Sequence, residues 1–221
     1  MTNEVQFILS LCIGFTVIIG VVKYKTIDKS YYPFFYLACI SLLVEISSYI
    51  LSRNDMKNAI PVIINVFCLL EFFFYAWLFN LWGLFNFNRK IFLFVITLFF
   101  TGWIIITFFA GIITKPNFYF RVIYSMTLLF FAVTSFNKFV IPNRAAIFKN
   151  PKFWILTGMI IFFSFYLLIQ SANLSIFGIN TSKGFRRGLY GIVSYSNLIV
   201  NLMFAIGALC IPRKKNFTTL F

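Results

Sequence analysis

The chain has 221 residues, of which 61% are hydrophobic, 22% aromatic and only 11% charged, with a net charge of +14 and a mean hydropathy of +0.92. A soluble domain does not carry this composition, and seven apolar runs joined by short polar segments leave no room for one. The basic residues are scattered over every joint instead of forming a stripe, as anchoring to anionic lipid requires, so nucleic acid is not an expected partner.

The expectation is an all-α polytopic membrane protein. It is a single domain over residues 1–221, a bundle of seven transmembrane helices at about 5–22, 31–52, 60–84, 91–113, 118–137, 153–172 and 188–211. Only Glu4 precedes the first run, without the charged segment or small-residue cleavage site of a signal peptide, so this span is expected to be retained. The fourth run shows only Thr and Gly among its non-hydrophobic residues, and the first adds only Gln6 and Ser10 to these, so both are expected to face lipid. Ser41, Glu45, Ser48 and Ser52 recur on the second at i, i+4, i+7 and i+11, one face of a helix. The third run places Cys68, Glu71 and Tyr75 on one face, with Glu71 in the middle of an apolar stretch long enough to cross a bilayer.

Further along, the fifth run offers Tyr124 and Thr127 with Arg121 just above, and the sixth carries Thr157, Ser164, Tyr166, Gln170 and Ser171. Tyr190, Ser194, Asn197 and Asn201 repeat the i, i+4, i+7, i+11 stripe on the seventh. Helix packing alone accounts for small hydroxylated residues in such stripes. Asn197, Asn201 and the two glutamates cost more to leave unsatisfied in hydrocarbon, which points to a polar network or a functional site. Between the runs, Pro116, Pro142, Pro151 and Pro212 lie at or beyond helix ends, and Pro33 and Pro61 in first turns.

Orientation follows from the joints. Those at 23–29, 89–90, 138–152 and 213–215 hold twelve Lys and Arg, and those at 53–57, 115–121 and 183–187 hold seven, so the amino terminus is expected outside and the carboxyl terminus inside. At about 1.5 Å per residue, Glu71 then lies about 16 Å and Glu45 about 10 Å from the outer ends of their spans. Arg121, Tyr124, Gln170, Tyr195 and Asn197 fall in the same half. Together they predict an outward-facing pocket with Glu71 as its floor, closed below by aromatic packing around Trp82 and Phe204.

The chain has no histidine, which removes imidazole-based zinc and haem sites and Ser-His or Cys-His nucleophiles. Cys12, Cys39, Cys68 and Cys210 all fall inside predicted spans, without a CxxC pair, and no Gly-rich phosphate loop is present. No cofactor, metal or catalytic residue is therefore assigned.

The segments YYPFFYLACISLLVEISSYIL, IPVIINVFCLLEFFFYAWLF and NPKFWILTGMIIFFSFYLL resemble those of a family of uncharacterised bacterial seven-span integral membrane proteins. The resemblance lies in a glutamate in the second span, Asn65 and Glu71 in the third, and the Asn-Pro-x-Phe-Trp start of the sixth, Asn150 to Trp154. It implies a bacterial inner-membrane location. It also implies signalling by association, because genes of that family often stand beside sensor-kinase components. The candidate pocket set is Glu45, Glu71, Asn65, Tyr75, Arg121, Tyr124, Gln170, Tyr195, Asn197 and Asn201. Three functions fit it: a sensor that takes a small or lipidic ligand and signals through a cytoplasmic partner; a proton- or cation-coupled transporter using Glu45 and Glu71; and a lipid-modifying enzyme with two carboxylates as acid and base.

Overall fold

A computed structural model describes residues 3–109, 114–174 and 183–212. Its helices are α1 (Asn3–Ser10), α2 (Ile13–Lys23), α3 (Tyr32–Arg53), α4 (Ile60–Leu81), α5 (Arg89–Ile104), α6 (Phe118–Phe139), α7 (Pro151–Ala172) and α8 (Lys183–Cys210). Among the described residues there is no strand, and six helices are long and apolar enough to cross a membrane, with a shorter apolar stretch at Phe7–Lys23.

The helix starts follow local chemistry. Pro33, Pro61 and Pro151 sit in first turns, where a missing N–H costs nothing. Asn88, Asn117 and Asn150 are N-caps whose side-chain oxygens accept from Lys90, Phe120 and Lys152 backbone N–H groups. The connector after α4 turns through three left-handed residues, Gly83, Asn86 and Phe87.

Three expectations on span boundaries change. The run at 5–22 is not one helix: at Leu11 and Cys12 the bonding shifts to Cys12 N–H onto Leu9 and Gly14 N–H onto Leu11, while the Ser10 hydroxyl donates back to the Phe7 carbonyl. Such back-bonding and three-residue bonds interrupt the helical ladder between α1 and α2. α5 passes at Ile105–Phe109 into a wider π turn, with 110–113 outside the described residues. α8 begins at Lys183, about a turn before the expected start of the last span.

Neighbouring helices form a ring. α3 packs on α4, α4 on α6, α6 on α7, α7 on α8, α8 on α2, and α2 on α3, while α5 lies outside it against α4 and α6. α5 is correspondingly the most exposed of the long helices, in line with a lipid-facing fourth span. α1 bridges α8 and α3 at the Arg53 end, where Arg53 pairs with Glu4 at 2.6 Å and Phe7 stacks on Tyr49.

The opposite end is sealed by rings. Phe34 meets Phe204 edge-on at 5.4 Å, Tyr31 meets Trp82, and Phe79 touches both Trp82 and Phe131. Lysines close this end. Lys23 donates to the Leu209 carbonyl, Lys138 to Gly83, and Lys152 lies over the rings of Trp82 and Phe139. The plug depends on close approach: a Cβ at Gly158 would lie 2.7 Å from the Phe204 ring. Gly158→Leu is expected to lower stability by about 1–3 kcal/mol through overpacking. Gly14→Ala, where nothing lies within 4 Å, should change little; thermal unfolding of the two purified variants is the check.

Candidate functional site

The ring encloses a cavity of about 320 Å³, at the lower end of the range of small-molecule pockets. Its wall comes from the α1–α2 break and from α3, α4, α6, α7 and α8. α3 contributes Ser41, Glu45 and Ser48, three of its four striped residues, and α8 contributes Asn197 and Asn201. The two stripes face one space because a period of 3.6 keeps each on a single helix face.

Glu71 stands on the α4 part of the wall and is 6% exposed. Its carboxylate oxygen accepts from the Tyr124 hydroxyl at 3.0 Å. Tyr124 is held by Phe120 stacked on it at 5.6 Å, by the edge of Phe163 and by the half-buried Tyr166, and it is itself buried. Glu71 is not the floor, as depth alone had placed it. Tyr75 lies one turn further along α4, and with Phe34 and Phe204 it carries the cavity past Glu71 to the aromatic plug.

Behind the wall lies a second polar layer. The Asn65 side-chain oxygen accepts from the Arg121 guanidinium at 3.0 Å and from the Asn117 backbone N–H at 3.2 Å. Its amide donates to the Lys115 carbonyl at 2.9 Å, and the Trp103 indole donates to the Asn65 carbonyl at 3.1 Å. Arg121 therefore points inward, 8% exposed, with Asn65 as a partner. Asn65, Arg121 and Gln170 are buried but do not line the cavity.

Of the expected pocket residues, Glu45, Glu71, Tyr75, Tyr124, Asn197 and Asn201 share the wall. Tyr195 does not. It is 58% exposed on the outer face of α8, because two residues along a helix turn a side chain about 200° away from Asn197. The expectation of a purely lipid-facing first span also fails: Ser10 and Ile13, at the break between α1 and α2, form part of the wall.

Polar contributors outside the predicted set include Ser10, Ser41, Ser48, Cys68 and Tyr166 on the wall and Asn117 behind it. Asn117 had a readable signal, an Asn directly before the apolar run of α6 and after Pro116, the signature of an N-cap. Ser10 carried only the weak signal of a hydroxyl in an apolar run, which helix packing alone explains. Cys68 lies on the wall with the Tyr166 hydroxyl at 3.9 Å. Among the described residues no three Cys, Asp or Glu side chains gather closely enough to hold a metal ion.

No protein-family model matches the chain, and no curated protein or solved structure matches it either.

Asn65→Leu removes the acceptor of a buried guanidinium and of a backbone N–H, and is expected to cost about 3–5 kcal/mol. Tyr124→Phe removes one donor and should cost about 1 kcal/mol. Chemical or thermal unfolding in one detergent should rank Asn65→Leu well below Tyr124→Phe; equal losses would contradict the anchoring role of Asn65.

Proposed function

We propose that the chain is a seven-span receptor of a bacterial inner membrane, which binds a small or lipidic ligand in the central cavity and signals through a cytoplasmic protein. The observation that carries this reading is the cavity itself, into which two independent polar stripes and a mid-span carboxyl converge inside an otherwise apolar bundle. Such groups are expensive in hydrocarbon and are kept where they bind something. The wall offers charge and hydrogen bonds but no histidine to activate Cys68 or a serine, which favours binding over catalysis. Phe204 links the cavity to the rest of the bundle: it lines the wall, meets Phe34 of α3 and fits over Gly158 of α7. A ligand that fills the space bears on that contact, the kind of packed junction through which helix shifts travel.

In this reading the short apolar stretch Phe7–Lys23 counts as the seventh span, the amino terminus is outside and the carboxyl terminus inside. The lysines at the Trp82 end support it, since Lys23, Lys138 and Lys152 all lie there. In a background without native cysteines, a cysteine in place of Asp55 should react with an impermeant maleimide on intact cells. One in place of Phe87 should react only after permeabilisation, and the reverse pattern would turn the cavity to the cytoplasm.

A proton- or cation-coupled carrier is the second reading, favoured by Glu45 and Glu71 standing on one cavity wall. A carrier must cycle a carboxyl between its protonated and ionised forms, whereas a receptor can use glutamine at the same place as donor and acceptor. Wild type and Glu71→Gln in proteoliposomes, tested with a panel of solutes, separate the two. The receptor reading expects no solute-driven proton movement in either; uptake present in the wild type and lost in the variant would establish the carrier.

A further inference from the structure

We infer that the cavity is built for an organic ammonium ion carrying an apolar body. This rests on the reading above that the cavity takes a ligand, and it names the ligand's chemistry.

The first observation is the sign of the wall. The chain has nineteen Lys and Arg against five Asp and Glu, yet among the described residues the cavity is lined by two of those five acids and by no basic residue. The other titratable side chains on it, Cys68, Tyr75, Tyr124 and Tyr166, can only become negative. Arg121, a base close behind the wall, donates to Asn65 in the second layer. Among the described lining residues an anionic ligand would find no basic partner, whereas a cation would find two carboxyl groups.

A second observation is independent of charge. Asn201 is 4% exposed, lies on the wall, and forms no side-chain hydrogen bond among the described residues. A buried amide with its donors and acceptor unused is costly in an apolar medium, so its complement has to come from the occupant of the cavity.

The remaining wall decides what sort of cation fits. A hard metal ion wants six or more oxygen ligands, and no group of three metal-binding side chains exists among the described residues. The surface instead presents rings: Tyr75, Tyr124 and Tyr166 beside the acid of α4, and Phe34, Phe162 and Phe204 below and around it. Carboxyls within a lining of aromatic faces recognise weakly hydrated ammonium groups, and the ring-lined remainder accommodates an apolar body. Both acids line the cavity from different elements, α3 and α4, so either can face an ammonium group inside it.

The test uses the full chain in nanodiscs of zwitterionic lipid, which gives ammonium ions no anionic surface to bind. Phenylalkyl-dimethylammonium ions of graded length, each with one N–H that can donate to an amide oxygen, are compared by calorimetry with phenylalkyl alcohols and phenylalkyl carboxylates of the same lengths. At least one ammonium ion should bind about tenfold or more tightly than its matched alcohol, and the carboxylates should not bind. Glu45→Gln, Glu71→Gln and Asn201→Leu, each checked for unchanged melting without ligand, should weaken the ammonium ion, and the two glutamate variants should leave the alcohol nearly as before. The charge series on the wild type stands even if a variant fails to fold. Alcohols or carboxylates binding as tightly as ammonium ions would overturn the inference and leave a ligand pocket of other chemistry. Ammonium binding indifferent to all three folded variants would overturn it by placing the site elsewhere. Silence from all three series would remove the pocket reading as well.

Discussion

The side chain of Asn65 joins parts of the chain that lie far apart in sequence. Its oxygen receives the Arg121 guanidinium and the Asn117 backbone N–H, its amide reaches the Lys115 carbonyl, and the Trp103 indole closes on its own carbonyl. In an aqueous protein each of these groups could turn to water. Inside a bundle surrounded by lipid they must find one another, and the geometry that satisfies them also sets how α4, α5 and α6 meet. Tyr124 lies one turn along α6 from Arg121, and Glu71 lies under two turns along α4 from Asn65. The amide that pairs the first two thus brings the second two within 3.0 Å.

Polar satisfaction and polar availability are divided between two layers. The outer layer, around Asn65, is bonded together and serves as structure. The inner layer, on the cavity wall, is richer in groups whose hydrogen-bonding capacity is turned to the space between the helices, Asn201 above all. A bundle needing only to stay folded could fill that space with leucine and phenylalanine, as it does at the Trp82 end, where rings pack on rings. The contrast between the two ends is the physical basis for reading the cavity as a site.

The aromatic plug and the lysines around it give that end a different character. Ring edges fill the space between helices, Lys23 meets the Leu209 carbonyl in the last turn of α8, and Lys138 meets the Gly83 carbonyl in the turn after α4. Phe204 belongs to both regions, as cavity wall and as plug, and Gly158 makes its position close-fitting. Cavity and plug are therefore mechanically joined through one side chain.

The class of the protein was legible in its sequence, because apolar length is a property of each segment taken alone. Proline and asparagine marked the helix starts for the same reason: Pro33, Pro61, Pro151 and the capping asparagines act on the turn they occupy. The two stripes were legible as well, and Glu45 with Ser41 and Asn197 with Asn201 do share a wall, since helical period fixes relative direction within one helix. Direction relative to other helices is another matter. Depth placed Tyr195 beside Asn197, yet rotation sends it to the outer face, and Arg121 reaches Asn65 across 56 residues of chain. Ser10 reaches the wall from a span expected to face lipid. Which faces meet is decided by packing and hydrogen bonds between segments distant in sequence, and no local pattern carries that information until the helices are brought together.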